Sequence, residues 1–227
     1  MLILFSLALP AQDTLNQTDA RGRKQGFWKK KDTSGVLLYE GRFTDNVPCG
    51  EFRYYYPDGK VKAVSKMSDH GRRARTVAWY KSGKKMASGN YLDEKKDSTW
   101  QFFSEYDESL ISLVDYRMGL KDGVEKIFLP GGDLSEIYTW KAGKKEGPWE
   151  QYYSDGKLKF KSAYSRDEKQ GPFTAYYTNG KIIMTGTYSE GHKDGLWIYY
   201  DEKGQVTKKE TWSKGILQKT EELQKSP

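Results

Sequence analysis

The sequence predicts an all-β protein made of eight antiparallel β-hairpins of about 24 residues each. Three observations support this fold class. The chain repeats itself with a period of 24 residues, nearly every period has a glycine turn near its middle, and apolar and polar residues alternate after the turn. Because each period would supply one hairpin that pairs with its neighbours, we expect an elongated meander or solenoid.

The period is defined by an anchor, usually glycine, that recurs every 24 residues with one step of 25. The anchors begin repeats at Gly26, Gly50, Ala74, Ser98, Gly123, Gly147, Gly171 and Gly195. At two positions after the anchor an aromatic residue recurs from repeat to repeat, and each such recurring position is called a column. Two residues after it, at position +2, stand Trp28, Phe52, Trp100, Trp149, Phe173 and Trp197. At position +5 stand Tyr55, Trp79, Phe103, Phe128, Tyr152, Tyr176 and Tyr200.

The predicted turn lies nine residues after each anchor. Asp107 holds this position in one repeat, and glycine holds it in the other seven, namely Gly35, Gly59, Gly83, Gly132, Gly156, Gly180 and Gly204. Glycine reaches positive φ without a steric penalty. Stretches such as Ser154-Asp155-Gly156 therefore fit a three-residue loop, in which a type I turn is closed by a glycine bulge.

The strand after each turn has one apolar side. Leu158, Phe160 and Ser162 alternate with lysines, which is typical of half-buried antiparallel strands. Two registers stay open. The favoured three-residue loop places Tyr152 opposite Leu158 on the apolar face and leaves Trp149 on the other face. A two-residue loop sets the +2 column against small residues at position +15, and a bulge would let the strand bury both columns. A short helix could follow Ile216.

Composition is consistent with a folded repeat protein that buries rings. Of the 227 residues 36% are hydrophobic and 15% aromatic, and the net charge is +7. The expected segments are a signal peptide at 1–12, a lead-in or cap at 13–25, the eight repeats at 26–218 and a polar tail at 219–227. The first segment, MLILFSLALPAQ, is too short to span a bilayer and has the apolar core and small-residue end of a signal peptide.

The leader decides the expected location. The leader lacks a basic n-region, so the sequence does not determine the true start codon. We expect an exported protein, periplasmic or extracellular, with a cytoplasmic protein as the alternative.

The columns also resemble a known family. Units such as TGTYSEGHKDGLWIYYDEKG, residues 185–204, resemble the MORN repeat in its bacterial variant form, which includes antitoxins of toxin–antitoxin pairs. The resemblance covers about Gly22 to Lys214, and the lead-in from Asn16 to Trp28 resembles that of exported Bacteroidetes proteins. It implies an elongated meander of hairpins that serves as a binding or scaffolding surface, with no catalytic residues. The repeats at Ala74 and Ser98 depart from the pattern.

No enzyme is predicted. His70 and His192 lie in distant loops, so they are not expected to form a metal site, and Cys49 has no histidine beside it in sequence. The glycines fit turns and open no helix that could hold a phosphate. We expect no cofactor and no metal.

Two sets of basic residues differ in their surroundings. Loops between repeats mix Lys95, Lys96, Lys121, Lys144, Lys145 and Lys193 with carboxylates, and we expect them to be solvated. The polar side of the strands is more uniformly basic, through Lys60, Lys62, Lys66, Lys84, Lys157, Lys159, Lys161, Lys181 and Lys209. This second set is typical of an exposed sheet that stays soluble. Alternatively, it predicts a basic stripe that binds an acidic partner or an envelope polyanion.

The expected function is binding or scaffolding of another protein in the cell envelope. The candidate binding residues are Trp100, Trp149, Phe173, Trp197, Lys157, Lys159 and Lys161. One alternative is an antitoxin-like neutraliser of a toxin. Another is carbohydrate or peptidoglycan binding by an exposed aromatic row. Nucleic acid and insertion into a membrane are not expected.

Overall fold

A computed structural model describes residues 14–223, so the leader at 1–12 lies outside the described residues. The described residues form 19 β-strands and no helix. The all-β class predicted from the sequence is therefore confirmed. The chain divides between Lys84 and Lys85 into two compact units, each of which is an antiparallel meander.

The first unit contains six strands, and each pairs antiparallel with the next along the chain. They are β1 (Gln17–Thr18), β2 (Lys24–Lys31), β3 (Leu37–Thr44), β4 (Val47–Tyr55), β5 (Val61–Ser68) and β6 (Arg73–Trp79). The short β1 covers only the start of β2. Further along β2, the Asn16 side chain accepts a bond from the Lys29 N–H at 2.8 Å and donates one to the Lys29 carbonyl at 3.2 Å. This side chain thus takes the place of a neighbouring strand.

The second unit contains thirteen strands that also pair in chain order, with β13 pairing to both β14 and β15. They are β7 (Lys85–Leu92), β8 (Lys95–Phe103), β9 (Leu110–Arg117), β10 (Leu120–Phe128), β11 (Leu134–Lys141), β12 (Lys144–Tyr152), β13 (Leu158–Ser165), β14 (Glu168–Lys169), β15 (Gly171–Tyr176), β16 (Ile182–Ser189), β17 (His192–Tyr200), β18 (Val206–Ser213) and β19 (Ile216–Glu222). The expected helix after Ile216 is wrong, because this segment pairs with β18 as a strand.

The seven hairpin turns with glycine have the three-residue loop that the sequence favoured, whereas the turn at Asp107 is longer, with the Ser104 N–H donating to the Ser109 carbonyl. In the sixth repeat the Tyr153 N–H donates to the Lys157 carbonyl at 2.8 Å, and the Gly156 N–H donates to the Tyr153 carbonyl at 2.9 Å. Gly156 lies at φ 79°, and the other six turn glycines also lie at positive φ. Asp155 accepts a bond from the Lys157 N–H at 3.1 Å, which stabilises the turn.

A bulge follows the turn and reconciles the two registers. Tyr152 lies opposite Leu158, as the three-residue loop requires, yet Trp149 lies opposite Ser162, as the two-residue loop would require. The pairing shifts between Gln151 and Tyr152, which leaves one extra residue in β13. Both pairings therefore occur in one hairpin.

This register decides which aromatic column is buried. Trp100, Trp149 and Trp197 are only 2%, 9% and 1% exposed, whereas Tyr152 and Tyr200 of the +5 column are half-buried. The expectation that the +2 column is exposed is therefore wrong for these three tryptophans. The odd spacing between +2 and +5 sends the two columns to opposite faces. The +2 rings are the buried ones because they lie against small residues of a neighbouring strand. We call the face that carries the +2 rings the ring face.

Small residues at position +15 make room for these rings. A Cβ atom added at Gly186 would lie 2.1 Å from Cδ2 of Trp197, and one at Gly41 would lie 2.5 Å from the Phe52 ring. The ring of one repeat thus lies directly on the backbone of the preceding strand. Where Ser65 replaces the glycine, Thr76 replaces the ring, and their hydroxyls lie 2.7 Å apart.

Candidate binding surfaces

The ring face is a continuous aromatic cluster in the second unit. Tyr138 stacks on Trp149 at a centroid distance of 6.0 Å, and Trp149 meets Phe160 edge-on at 4.4 Å. Phe173 continues the cluster, 5.6 Å from Phe160 and 5.5 Å from Trp197. Phe173 is half-buried. The four aromatic residues predicted as a binding row are therefore packed against other rings, and a sugar could not stack on the buried tryptophans.

A column of lysines stands two residues before six of the eight anchors, at Lys24, Lys96, Lys121, Lys145, Lys169 and Lys193. The last five lie over rings of the second unit, whereas Lys24 lies over Trp28 and Phe43 in the first unit. Lys96 Nζ lies 4.7 Å from the centroids of both Trp100 and Phe102, and Lys193 Nζ lies 4.4 Å from that of Trp197. Such cation–π contacts stabilise the pair. All six side chains are half-buried at strand positions.

This column corrects the expectation that the loop lysines are solvated. Lys96, Lys121, Lys145 and Lys193 lie over rings, although Lys95 and Lys144 are exposed. Burial lowers the pKa of Lys96, and the charge of Lys121 lowers it further. Burial also lowers the pKa of Lys193. The column is evident in the sequence as a lysine that recurs with the period of the repeat.

Two repeats place a buried carboxylate among these lysines. Glu125 accepts bonds from Lys121 Nζ at 2.7 Å and from the Trp140 indole N–H at 2.8 Å. Glu210 accepts bonds from Lys208 Nζ at 2.7 Å, the Tyr199 hydroxyl at 2.6 Å and the Trp212 indole N–H at 3.0 Å.

The pKa of Glu210 reflects these bonds. Burial raises the pKa of this carboxyl, but the hydrogen bonds outweigh burial and lower it to about 2. Glu210 therefore stays ionised.

The opposite face carries the exposed lysines and is called here the basic face. Lys157, Lys159 and Lys161, predicted as binding residues, are all exposed on or beside β13. Lys157 lies 3.1 Å from Asp155, and Lys161 is paired in register with Glu150. Lys60, Lys62, Lys66 and Lys181 are exposed too, whereas Lys84 and Lys209 are half-buried.

A tyrosine column that the sequence reasoning missed links successive repeats beside this face. It lies six residues after the anchor. The hydroxyls of Tyr56, Tyr153 and Tyr177 donate to the carbonyls of Trp79, Tyr176 and Tyr200, at 2.8, 2.7 and 3.0 Å. Each bond spans 23 residues, so it joins one repeat to the next. The tyrosine recurs with the 24-residue period, so the sequence alone could have revealed this column.

The described residues offer no metal centre. No group of three or more histidines, cysteines or carboxylates within 14–223 is arranged to hold a metal ion. His192 Nδ1 lies 2.7 Å from the Glu190 carbonyl, and Cys49 is half-buried beside the Thr44 hydroxyl. Over the same range, no helix has the length and apolar character needed to cross a membrane.

Two solved structures show distant similarity to the chain. The chain is 11% identical to the Photorhabdus luminescens Tc holotoxin pore, over 83% of this chain and 13% of that one, with a TM-score of 0.22. It is 10% identical to a porin-like protein from Bacteroides uniformis, over 86% of this chain and 92% of that one, with a TM-score of 0.21.

Comparison of sequences is more informative. No curated protein matches the chain. The family model of the MORN repeat variant, however, matches residues 48–66, 145–165, 169–190 and 193–214. Each matched segment lies within the hairpins described above and contains a strand of the repeat. The chain therefore contains repeats of the MORN variant type in these four segments.

Proposed function

We propose that this protein is exported and non-catalytic, and that its basic face is a docking or scaffolding surface for an acidic protein of the cell envelope. The observation that carries the proposal is an exposed lysine that follows the turn in repeats of both units. Lys60, Lys157 and Lys181 occupy the same position in their repeats, and all three are exposed. MORN repeats are typically non-catalytic and often bind other molecules, which supports a binding role.

Charge on this face favours a protein partner over a nucleic acid. Carboxylates stand among the lysines, with Asp155 beside Lys157 and Glu150 beside Lys161. These carboxylates would repel a uniform phosphate backbone, whereas a protein surface can present charges of both signs in register. An acidic partner would be steered to the face at low salt and released as salt rises.

Affinity capture tests the docking surface. Tagged full-length protein is compared with a triple variant, Lys157→Glu, Lys159→Glu and Lys161→Glu. We expect the triple variant to lose the captured partner, because three attractive charges become repulsive. The matched control is Lys95→Glu, Lys141→Glu and Lys144→Glu, which makes the same change of net charge at exposed residues near the inter-repeat turns. Equal loss in both variants would show a net-charge effect and contradict the proposal.

The location is tested separately. Mass spectrometry of the protein recovered from cells that express the full sequence should find a mature N-terminus near Asp13. An intact Met1 in the cytoplasmic fraction would contradict export and favour a cytoplasmic role.

A further inference from the structure

The last strand of the second unit pairs on one side only among residues 14–223. β19 begins at Ile216, 24 residues after β17 begins at His192, so it holds the place of the first strand of a further repeat. The strand in this place elsewhere pairs on both sides, as β17 does with β16 and β18. Within residues 14–223 β19 pairs with β18 alone, and all seven of its residues are exposed. In this part of the chain its other side is therefore an open sheet edge.

The outer edge of β2 in the first unit is protected, whereas that of β19 is not. β1 covers the start of β2, and the Asn16 side chain bonds both backbone groups of Lys29 at 2.8 and 3.2 Å. The side-chain hydrogen bonds of β19 lie within the strand itself, between Lys219 and Glu221 and from Gln218 to the Ile216 carbonyl. An unprotected edge offers its backbone groups to another strand.

The hydrogen bonds to β18 show which backbone groups of β19 face the open edge. The Leu223 N–H donates to the Thr207 carbonyl at 2.8 Å, so the backbone groups of Leu223 face β18. These groups alternate from side to side along an antiparallel strand. Those of Glu221 therefore also face β18, whereas those of Thr220 and Glu222 face away from it. Thr220 is thus placed to form a hydrogen-bonded pair with a residue of another chain.

The side chains of β19 complement those of a second, antiparallel β19. When the two strands are centred on Thr220, Lys219 of each copy lies opposite Glu221 of the other. Gln218, which is uncharged, lies opposite Glu222. Centring the pair on Lys219 or on Glu221 instead would set like charges against each other. Lysine on an edge strand usually hinders pairing, but opposite charges that face each other stabilise it. Charge and backbone direction therefore select the same register.

We propose that two copies of this chain form a dimer through β19, paired antiparallel about Thr220. The two Thr220 residues would exchange two backbone hydrogen bonds, flanked on either side by an ion pair between Lys219 and Glu221. A pair of strands is smaller than a standard interface, so we expect a dissociation constant in the micromolar range or weaker.

The dimer would enlarge the basic face. The twofold axis of such a strand pair stands perpendicular to the sheet, so equivalent faces of the two copies lie on the same side. Lys219 and Glu221 belong to the basic face, because they pair with Thr211 and Lys209 on the side of β18 opposite Glu210. Two second units would therefore present their basic faces together, and a partner with two acidic segments would bind more tightly than to one copy.

Sedimentation velocity of the purified full chain tests the association. Between about 5 and 300 μM, we expect the weight-average mass to rise from that of a monomer towards that of a dimer and no further. A monomer over the whole range, or growth beyond a dimer, would overturn the proposal. The pairing needs no other protein, so this result is independent of the capture experiment that tests the proposed function.

Charge exchange tests the register. Lys219→Glu and Glu221→Lys should each weaken self-association at least about tenfold, because each sets like charges opposite one another. An equimolar mixture of these two variants should associate again, since every facing pair then has opposite charges. The matched control is Lys144→Glu, an exposed residue of an inter-repeat turn, which should leave the dimer unchanged. Failure of the mixture to associate would contradict the register about Thr220.

Thr220 gives a test of the backbone pairing. Thr220→Pro removes an N–H that faces the open edge and no bond to β18, so it should abolish the dimer while the thermal melt stays cooperative. Thr220→Val keeps the N–H and should still dimerise. A dimer that survives Thr220→Pro would show that the copies meet through another surface. If proline unfolds the chain, the charge-exchange variants still decide the proposal.

Discussion

Trp197 and Tyr200 stand three residues apart on β17 and face opposite sides of the sheet. Trp197 is 1% exposed and contacts Phe173 and Tyr188, whereas Tyr200 is half-buried. Trp197→Ala should lower the free energy of unfolding by about 3–5 kcal/mol, the usual loss for a large ring removed from a core. Tyr200→Ala is the control from the same strand and should cost clearly less in urea denaturation. Equal losses would mean that both faces are equally packed.

Acid should destabilise the protein through Glu210. Its pKa is lowered from 4.5 to about 2 in the fold, so its stabilising effect is complete above pH 4.5 and disappears as pH falls towards 2. The shift corresponds to a free energy of unfolding on the order of 3 kcal/mol. Urea titrations at pH 6 and pH 2.5 should show this loss in the parent protein. Glu210→Gln should be less stable at pH 6 and less sensitive to acid, and an unchanged pH dependence would contradict this assignment.

Neighbouring strands are coupled through pairs such as Gly186 and Trp197. Gly186→Ser alone should cost about 1–3 kcal/mol, because its Cβ would overlap the indole ring. The same substitution should cost little in a Trp197→Thr background, since Ser65 and Thr76 form this pair naturally in the first unit. A double-mutant cycle measures the coupling energy. Additive effects would show that the glycine is present for another reason.

The hairpin turns require glycine because of its backbone conformation and not because a side chain would collide with neighbouring atoms. Gly156 lies at φ 79° and an added Cβ would meet no atom within 4 Å. Gly156→Val should therefore cost roughly 1–3 kcal/mol through backbone strain alone. Gly156→Asn should cost less, because asparagine tolerates the left-handed region. Thermal melts compare the two, and equal effects would contradict a turn that depends on φ.

The turns and the period were predictable because glycine at a fixed interval reports directly on local backbone geometry. The exposed face was not predictable. Both Trp149 and Tyr152 lie in an aromatic column, and only the shift in pairing beyond Gln151 shows where each side chain packs. Lys145 was misinterpreted for a related reason, since a lysine beside charged residues in sequence can still extend over rings in the fold. The polar tail from Ile216 lacks an apolar side, and only pairing with β18 makes it a strand.

Across the whole chain, the fold should tolerate the loss of one complete repeat. Deleting residues 171–194 joins Gln170 to Gly195 and keeps every column in phase, because the repeats contact mainly their neighbours. Deleting residues 172–194 removes one residue fewer and sends the following side chains to the wrong faces. We expect cooperative thermal unfolding by circular dichroism for the first deletion only. Similar melts for both would show that the phase of the repeat is not what the packing requires.

The tyrosine bonds between repeats have a consequence for synthesis on the ribosome. Tyr153 finds its acceptor 23 residues further along the chain, and the strands pair with the next strands in sequence. Contacts of such short sequence separation form quickly. Each hairpin can therefore close and dock on the previous one soon after it emerges, so that growth of the structure follows growth of the chain.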